Sequence, residues 1–142
     1  MTRSFSIDEE GDMTSTYMIG KSFGFSAAHR LPGLPKGHKC RRRHGHNFTA
    51  QVVLGADQLV PPGFVADFGD LDRFRRYLNR RLDHRDLNTV LDEPPTCENL
   101  ARHLAAWFLE HMPAHLSDAL VRITVSESDS SWAAYHVPGR RA

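Results

Sequence analysis

Three histidines and one cysteine lie within an eighteen-residue stretch, as Ala28-His29-Arg30 and then Cys40-Arg41-Arg42-Arg43-His44-Gly45-His46-Asn47. His44 and His46 are two apart, so in a strand their imidazoles leave the same face and converge on one point. His29 shares parity with Phe23, Phe25 and Ala27 in the run before it, and it joins the pair if the two strands lie side by side. Three neutral imidazoles hold a zinc ion with one tetrahedral position open, the plan of a catalytic rather than a structural site. The plain alternative is a set of strand histidines without a metal. Cys40 offers two further chemistries. It could close the site as a fourth ligand, or it could stand apart as a reactive thiol. Lys36, Lys39, Arg41, Arg42 and Arg43 surround it with positive charge that favours the thiolate.

A chain of 142 residues with 40% hydrophobic and 25% charged residues is expected to form one soluble domain with a sizeable core. No apolar run approaches the ~20 residues a membrane span needs, and the N-terminus has no apolar signal region. Two cysteines, Cys40 and Cys97, make no disulfide framework, so a cytoplasmic location is expected. A net charge of +1 argues against general nucleic-acid binding. The basic run from Lys36 to Arg43 is the exception, readable as an anion site, an RNA contact or a solvated loop.

The elements that must position these residues follow from periodicity. Residues 1–15 are polar and aperiodic, with Asp8, Glu9, Glu10 and Asp12 around Gly11, and read as a flexible leader to a single domain over 16–142. Tyr17 to Ala28 reads as a strand, and a Pro- and Gly-rich loop then delivers Cys40. His44 to Gly55 reads as a second strand with His46, Phe48, Ala50, Val52 and Leu54 on one side. Asp67 to Leu82 has Phe68, Leu71, Phe74, Leu78 and Leu82 at helical spacing, with Asp67 as cap. A second helix should follow Pro94-Pro95 with Thr96 capping, and bury Leu100, Leu104, Trp107 and Phe108. Ala119 to Glu127 and Trp132 to Val137 read as a hairpin across Ser128-Asp129-Ser130-Ser131. The order predicts an α+β domain, a four-stranded antiparallel sheet with two helices on one face.

Six ordered segments resemble one family. They are Phe25-Ser26-Ala27-Ala28-His29-Arg30-Leu31, Gly37-His38-Lys39-Cys40 through His44-Gly45-His46, and Val65-Ala66-Asp67-Phe68. The others are Leu82-Asp83-His84-Arg85-Asp86-Leu87-Asn88, Pro95-Thr96-Cys97-Glu98-Asn99-Leu100-Ala101 and Val125-Ser126-Glu127-Ser128. Together they are similar to the 6-pyruvoyltetrahydropterin synthase family from about Tyr17 to Tyr135. Three residues between Cys40 and His44 look like its bacterial 6-carboxytetrahydropterin synthase branch. The resemblance implies a tunnelling fold, in which trimers close their sheets into a barrel, often stack into hexamers, and place active sites at subunit interfaces. Such a homo-oligomer would also cover the edges of the sheet.

The activity implied is a zinc-dependent lyase converting 7,8-dihydroneopterin triphosphate to 6-carboxy-5,6,7,8-tetrahydropterin, an early step toward queuosine or a related deazapurine. The same resemblance assigns Zn2+ to His29, His44 and His46, and proton transfer to Cys40 with Asp83 and His84. Adjacent side chains rarely meet in regular structure, so Asp83 and His84 should meet in a turn. As the residue after a helix, His84 could instead serve only the helix dipole. Glu127 shares a strand face with Val121, Ile123 and Val125, an unusual place for an unpaired carboxylate. The resemblance makes it the pterin anchor, accepting from a ring N–H and the exocyclic amine, with Thr96 and Cys97 lending backbone groups. Cys97 lies in a helix's first turn, where thiolate is favoured, and so should compete with Cys40 for thiol reagents. His38, His103, His111, His115 and His136 read as surface or structural.

Two departures bear on the product: the triple arginine Arg41-Arg42-Arg43, and Ser126 where the carboxy-forming branch often has lysine. A pyruvoyl-forming synthase and a side-chain-cleaving aldolase use the same residues. Outside enzymes, the reading left open is a non-catalytic zinc-dependent module that binds an anion or RNA.

Overall fold

The computed structural model describes residues 6–7 and 13–141, and the acidic run 8–12 of the expected leader lies outside them. Its strands are β1 (Ser6–Ile7), β2 (Met13–Thr14), β3 (Tyr17–His29), β4 (His44–Ala56), β5 (Arg85–Asp86), β6 (Leu120–Ser128), β7 (Ser131–His136) and β8 (Arg140–Arg141). Its helices are α1 (Asp72–Arg81), α2 (Cys97–His111) and the one-turn α3 (Ala114–Ser117).

β3 and β4 alternate between covered and open faces. Phe23, Phe25, Ala27 and His29 of β3, with Phe48, Ala50 and Val52 of β4, are buried under the helices. α1 adds Phe74 and Leu78, flanked by Leu71 and Leu82, and α2 adds Leu100, Leu104 and Phe108. Phe74 joins the layers, 5.5 Å from Phe23 and 5.6 Å from Phe108 between ring centroids. Trp107, expected in the core, is half-buried and stacks on Tyr77 at the outer edge.

The sheet differs from the expected four antiparallel strands. It has five, in the order β5-β3-β4-β6-β7, and is mixed because β5 runs parallel to β3. Two residues cannot show a period, which hides β5 in the sequence. A separate small sheet, β1-β2-β8, joins the first strands to the last. Two helices become three with α3, and Asp67 caps a 3-10 turn (Phe68–Leu71) ahead of α1 rather than α1 itself. The tighter winding of that turn leaves Phe68 46% exposed, although its spacing suggested the core. Thr96 caps α2 as expected, its hydroxyl accepting from the Asn99 N–H. No helix among the described residues is long and apolar enough to cross a membrane.

Candidate metal centre and its neighbours

The antiparallel register of β3 and β4 sets His29 directly across from His44, and Ala27 across from His46. All three imidazoles therefore share the covered face at one end of the sheet. Their ring centroids are 4.6, 4.8 and 5.2 Å apart, and one ring nitrogen from each lies within 4.8 Å of the others. Phe48 forms the floor, edge-on to both His29 and His46.

Hydrogen bonds fix the tautomers. His29 Nδ1 donates to the Pro95 carbonyl at 2.8 Å, and His44 Nδ1 donates to the Arg42 carbonyl at 2.7 Å. A carbonyl only accepts, so in the neutral rings both Nε2 atoms present lone pairs, 3.0 Å apart. Neither can donate to the other, and a cation shared between them removes the repulsion. Two Zn–N bonds of about 2.0–2.1 Å at a tetrahedral angle would span about 3.3 Å, close to that separation. The donor set fits a divalent ion of the zinc type. Burial pushes the His29 pKa below its ordinary value, and His44 and His46 push it the same way; the Pro95 carbonyl and Glu127 pull against them. The neutral imidazole that a metal requires is thus the favoured form.

Cys40 is not part of this convergent set among the described residues. It sits in a 3-10 turn (Lys39–Arg41) capped by His38, whose Nδ1 accepts from the Cys40 N–H at 3.1 Å. The Cys40 carbonyl accepts from Leu31 N–H at 2.8 Å, which ties the turn to the end of β3.

Glu127 does reach the histidines. Its Oε2 lies 3.7 Å from His46 Nε2 and 4.0 Å from His29 Nε2. Its parity with buried Val121, Ile123 and Val125 sets it on their face, at a β-bulge where Ser126 pairs with Trp132 and Ser128 with Ser131, so that Glu127 is the surplus residue of β6. The Cys97 thiol donates to the same Oε2 at 3.7 Å. Burial, with the Glu127 charge beside it, pushes the Cys97 pKa up to about 12. The thiolate expected at this helix start is therefore overturned, because desolvation and a neighbouring anion outweigh the helix dipole.

Asp83 and His84 meet in a turn, as expected. His84 adopts φ 57°, a left-handed conformation costly for a residue with a Cβ, and its Nδ1 donates to Asp83 Oδ2 at 2.9 Å. Asp83 Oδ1 accepts from Ser26 N–H at 2.9 Å, and His84 N–H donates to the Ser26 carbonyl at 2.6 Å. The Ser26 N–H first, and His84 second, hold the Asp83 carboxyl below its usual range. The His84 side chain is 82% exposed, at the rim of an open depression lined also by Ser26, Ala27, Gly45, His46, Asn47 and Asp86. Among the described residues no hydrogen bond or ion pair joins this dyad to Cys40 or to the three histidines. One chain thus assembles His29, His44, His46, Glu127 and Cys97, while His84, paired with Asp83, borders the depression that His46 also lines without a bond to that group.

Sequence reasoning passed over the residues that brace this arrangement. Asn88 grips Arg30 at two points, its Oδ1 accepting from Arg30 N–H and its Nδ2 donating to the Arg30 carbonyl, both at 2.9 Å. The pair prolongs the β5–β3 ladder past Ala28–Asp86 and fixes the backbone next to His29. Arg43, beside His44, bonds Asp86 at 2.8 Å. The signal was present in the run Leu82–Asn88, where Asp83, Asp86 and Asn88 bond Ser26 of β3, Arg43 next to β4 and Arg30 next to β3. Asn88→Ala is expected to weaken zinc retention about tenfold, measured by competition with a chromophoric chelator. Asn88→Asp, which keeps the acceptor and loses the donor, should fall between. Unchanged metal affinity in both would show that the clamp does not reach His29.

Residues 18–138 match the family model described as 6-pyruvoyl tetrahydropterin synthase. The chain is 35% identical over 128 residues to a 6-carboxy-5,6,7,8-tetrahydropterin synthase of Synechocystis, covering 86% of this chain and 95% of that one. It is 30% identical over 105 residues to a dihydroneopterin monophosphate aldolase of Pyrococcus furiosus, covering 74% and 84%. Among solved structures, a 6-pyruvoyl tetrahydropterin synthase of Caenorhabditis elegans superposes with a TM-score of 0.75 at 24% identity, over 85% of this chain and 95% of that one.

Proposed function

This chain belongs to the 6-pyruvoyl tetrahydropterin synthase family, and from that membership we propose that it is a zinc-dependent lyase forming 6-carboxy-5,6,7,8-tetrahydropterin from 7,8-dihydroneopterin triphosphate. A pathway to a deazapurine such as queuosine would consume the product. The observation that carries the reading is the cluster of three histidines whose ring nitrogens converge, with a carboxylate beside it and no cysteine in the convergent set among the described residues.

Zinc on His29, His44 and His46 would act as a Lewis acid toward side-chain oxygens of the pterin. Glu127 anchors the pterin ring, its carboxylate accepting from the ring N–H and the exocyclic amine. By resemblance, Thr96 and Cys97 would lend backbone groups to the ring pocket. Thr96 already spends its hydroxyl on the Asn99 N–H, its N–H on the Pro94 carbonyl and its carbonyl on the Leu100 N–H, so Cys97 is the one left to contribute. The Cys97 thiol keeps its proton and donates a hydrogen bond to Glu127, which steadies the anchor without neutralising it. Cys40 as thiolate takes a proton from the substrate side chain. With Nδ1–H bound to Asp83, neutral His84 presents a free Nε2 that can receive or return a proton.

Because no hydrogen bond or ion pair within one chain ties the dyad to the histidine centre, the site is completed by a second copy, in a homo-oligomer built from trimers that stack to a hexamer. Support for this comes from the exposure of His84 and from the free edge of β7, where Trp132 is 70% exposed.

The test is one incubation of zinc-loaded protein with 7,8-dihydroneopterin triphosphate, followed by mass identification of the pterin. The 6-carboxy product is expected. A 6-pyruvoyl product would move the chain to that branch, and a shortened 6-hydroxymethyl pterin would make it an aldolase, as the Pyrococcus relative is named. No turnover together with salt-sensitive RNA binding would favour the non-catalytic module.

A further inference from the structure

The outer face of α1 carries a second concentration of positive charge, remote in sequence from the basic loop at Lys36–Arg43. Arg73, Arg76, Arg80 and Arg81, with Tyr77 and Trp107, line a depression of about 380 Å³ between α1 and α2. Arg73, Arg76 and Arg80 recur at helical spacing, so four guanidinium groups fall within about 12 Å along the helix axis. The whole chain has a net charge of only +1, so this is a local excess and not a general basicity.

Internal partners account for little of it. Arg73 donates to the His111 carbonyl, a neutral group, and Arg76 Nε lies 3.8 Å from an Asp72 carboxylate already shared with Arg75. Neither Arg80 nor Arg81 has a carboxylate partner among the described residues. Arginines at i and i+3 or i+4 repel one another, and a ligand that carries several negative charges in a row relieves that repulsion.

The neighbouring rings narrow the ligand. Tyr77 and Trp107 stack at 4.0 Å and 14°, and Trp107 and His111 stack at 4.8 Å and 15°. Both faces of Trp107 are covered, so it cannot serve as a platform for a nucleobase. The Tyr77 hydroxyl is likewise committed, 2.7 Å from His103 Nε2. What the depression presents is a row of guanidinium forks against a rigid, closed aromatic wall. That geometry suits the oxygens of a linear phosphate chain.

We propose that the α1 face is a binding site for polyphosphate, namely the chain of a free tri- or diphosphate or the phosphate tail of a nucleotide. It is separate from the metal centre.

The test uses zinc-loaded, full-length protein and isothermal titration with inorganic tripolyphosphate at about 0.15 M salt. Arg80→Ala/Arg81→Ala and Arg76→Ala/Arg80→Ala are compared with wild type, and Arg41→Ala/Arg42→Ala serves as the contrast. Tripolyphosphate should raise the melting temperature of wild type, and each α1 double variant should bind at least about tenfold more weakly. Pterin turnover should be unchanged in the α1 variants. Parallel titrations with ATP and adenosine distinguish the sources. Equal affinity for tripolyphosphate and ATP, with none for adenosine, fits a site that reads phosphate alone, and a marked gain for ATP identifies the nucleotide as the ligand. Binding that disappears only in the Arg41→Ala/Arg42→Ala protein, or RNA binding without tripolyphosphate binding, would overturn the proposal.

Discussion

Cys40→Ala is expected to lower turnover of the pterin triphosphate by about a thousandfold while zinc remains bound at one ion per chain. General-base assistance is worth ~10²–10⁴ in rate, and alanine leaves no group able to accept the proton. Zinc should stay because the convergent donors are His29, His44 and His46, and the Cys40 turn is held by backbone bonds to His38 and Leu31 that alanine keeps. Loss of both zinc and turnover would instead identify Cys40 as a fourth ligand in a closed structural site. Thiol labelling gives an independent check. With its pKa pushed up to about 12 by burial and Glu127, Cys97 should resist iodoacetamide at pH 8, so one equivalent of reagent should modify Cys40 and abolish activity.

The second large effect is at Glu127. Removing a carboxylate that accepts two N–H bonds should weaken binding of a pterin by about a hundredfold, measured by fluorescence titration of the zinc-loaded Glu127→Ala protein. Zinc affinity should change much less. Glu127→Gln should recover little, since an amide offers one acceptor where two are needed. Oε2 lies near two ligand nitrogens, so a carboxylate that bound the metal would give the opposite pattern, with zinc lost and pterin affinity following it. The same variant should lower the Cys97 pKa, because the anion that helps keep that thiol protonated is gone. Increased alkylation of Cys97 in Glu127→Ala would confirm the contact without any turnover measurement.

The convergence of the three histidines was legible because it follows from parity. His44 and His46 must share a face, and His29 falls on the face of Phe23 and Phe25, so pairing β3 with β4 leaves the three rings together. Helix α2 was equally plain from Pro94-Pro95-Thr96 and its apolar stripe. What stayed hidden depended on contacts between distant residues or on depth. Asn88 grips a backbone 58 positions away, and β5 is too short to carry a pattern. Cys97 was read from its place on a helix, where only local electrostatics is visible. Its behaviour is set by burial and by a carboxylate 30 positions away. The alternation of Val121, Ile123, Val125 and Glu127 runs unbroken into the hairpin, so nothing in it marks the bulge.

The place of Glu127 at that bulge gives strand β6 an unusual sensitivity to length. Glu127 faces the histidines by the alternation it shares with Val121, Ile123 and Val125, and it is also the one residue that β6 has over β7 between Ser126 and the turn. Deleting Ser126 would put the carboxylate directly after Val125 and send it to the opposite face of the strand. Exchanging Asp129 or Ser130 for other turn residues would leave the count intact. Spacing, more than side-chain identity, is therefore what an insertion or deletion in β6 ahead of Glu127 would damage. A loop graft at this hairpin has to keep the count of β6 up to Glu127, whatever turn follows it.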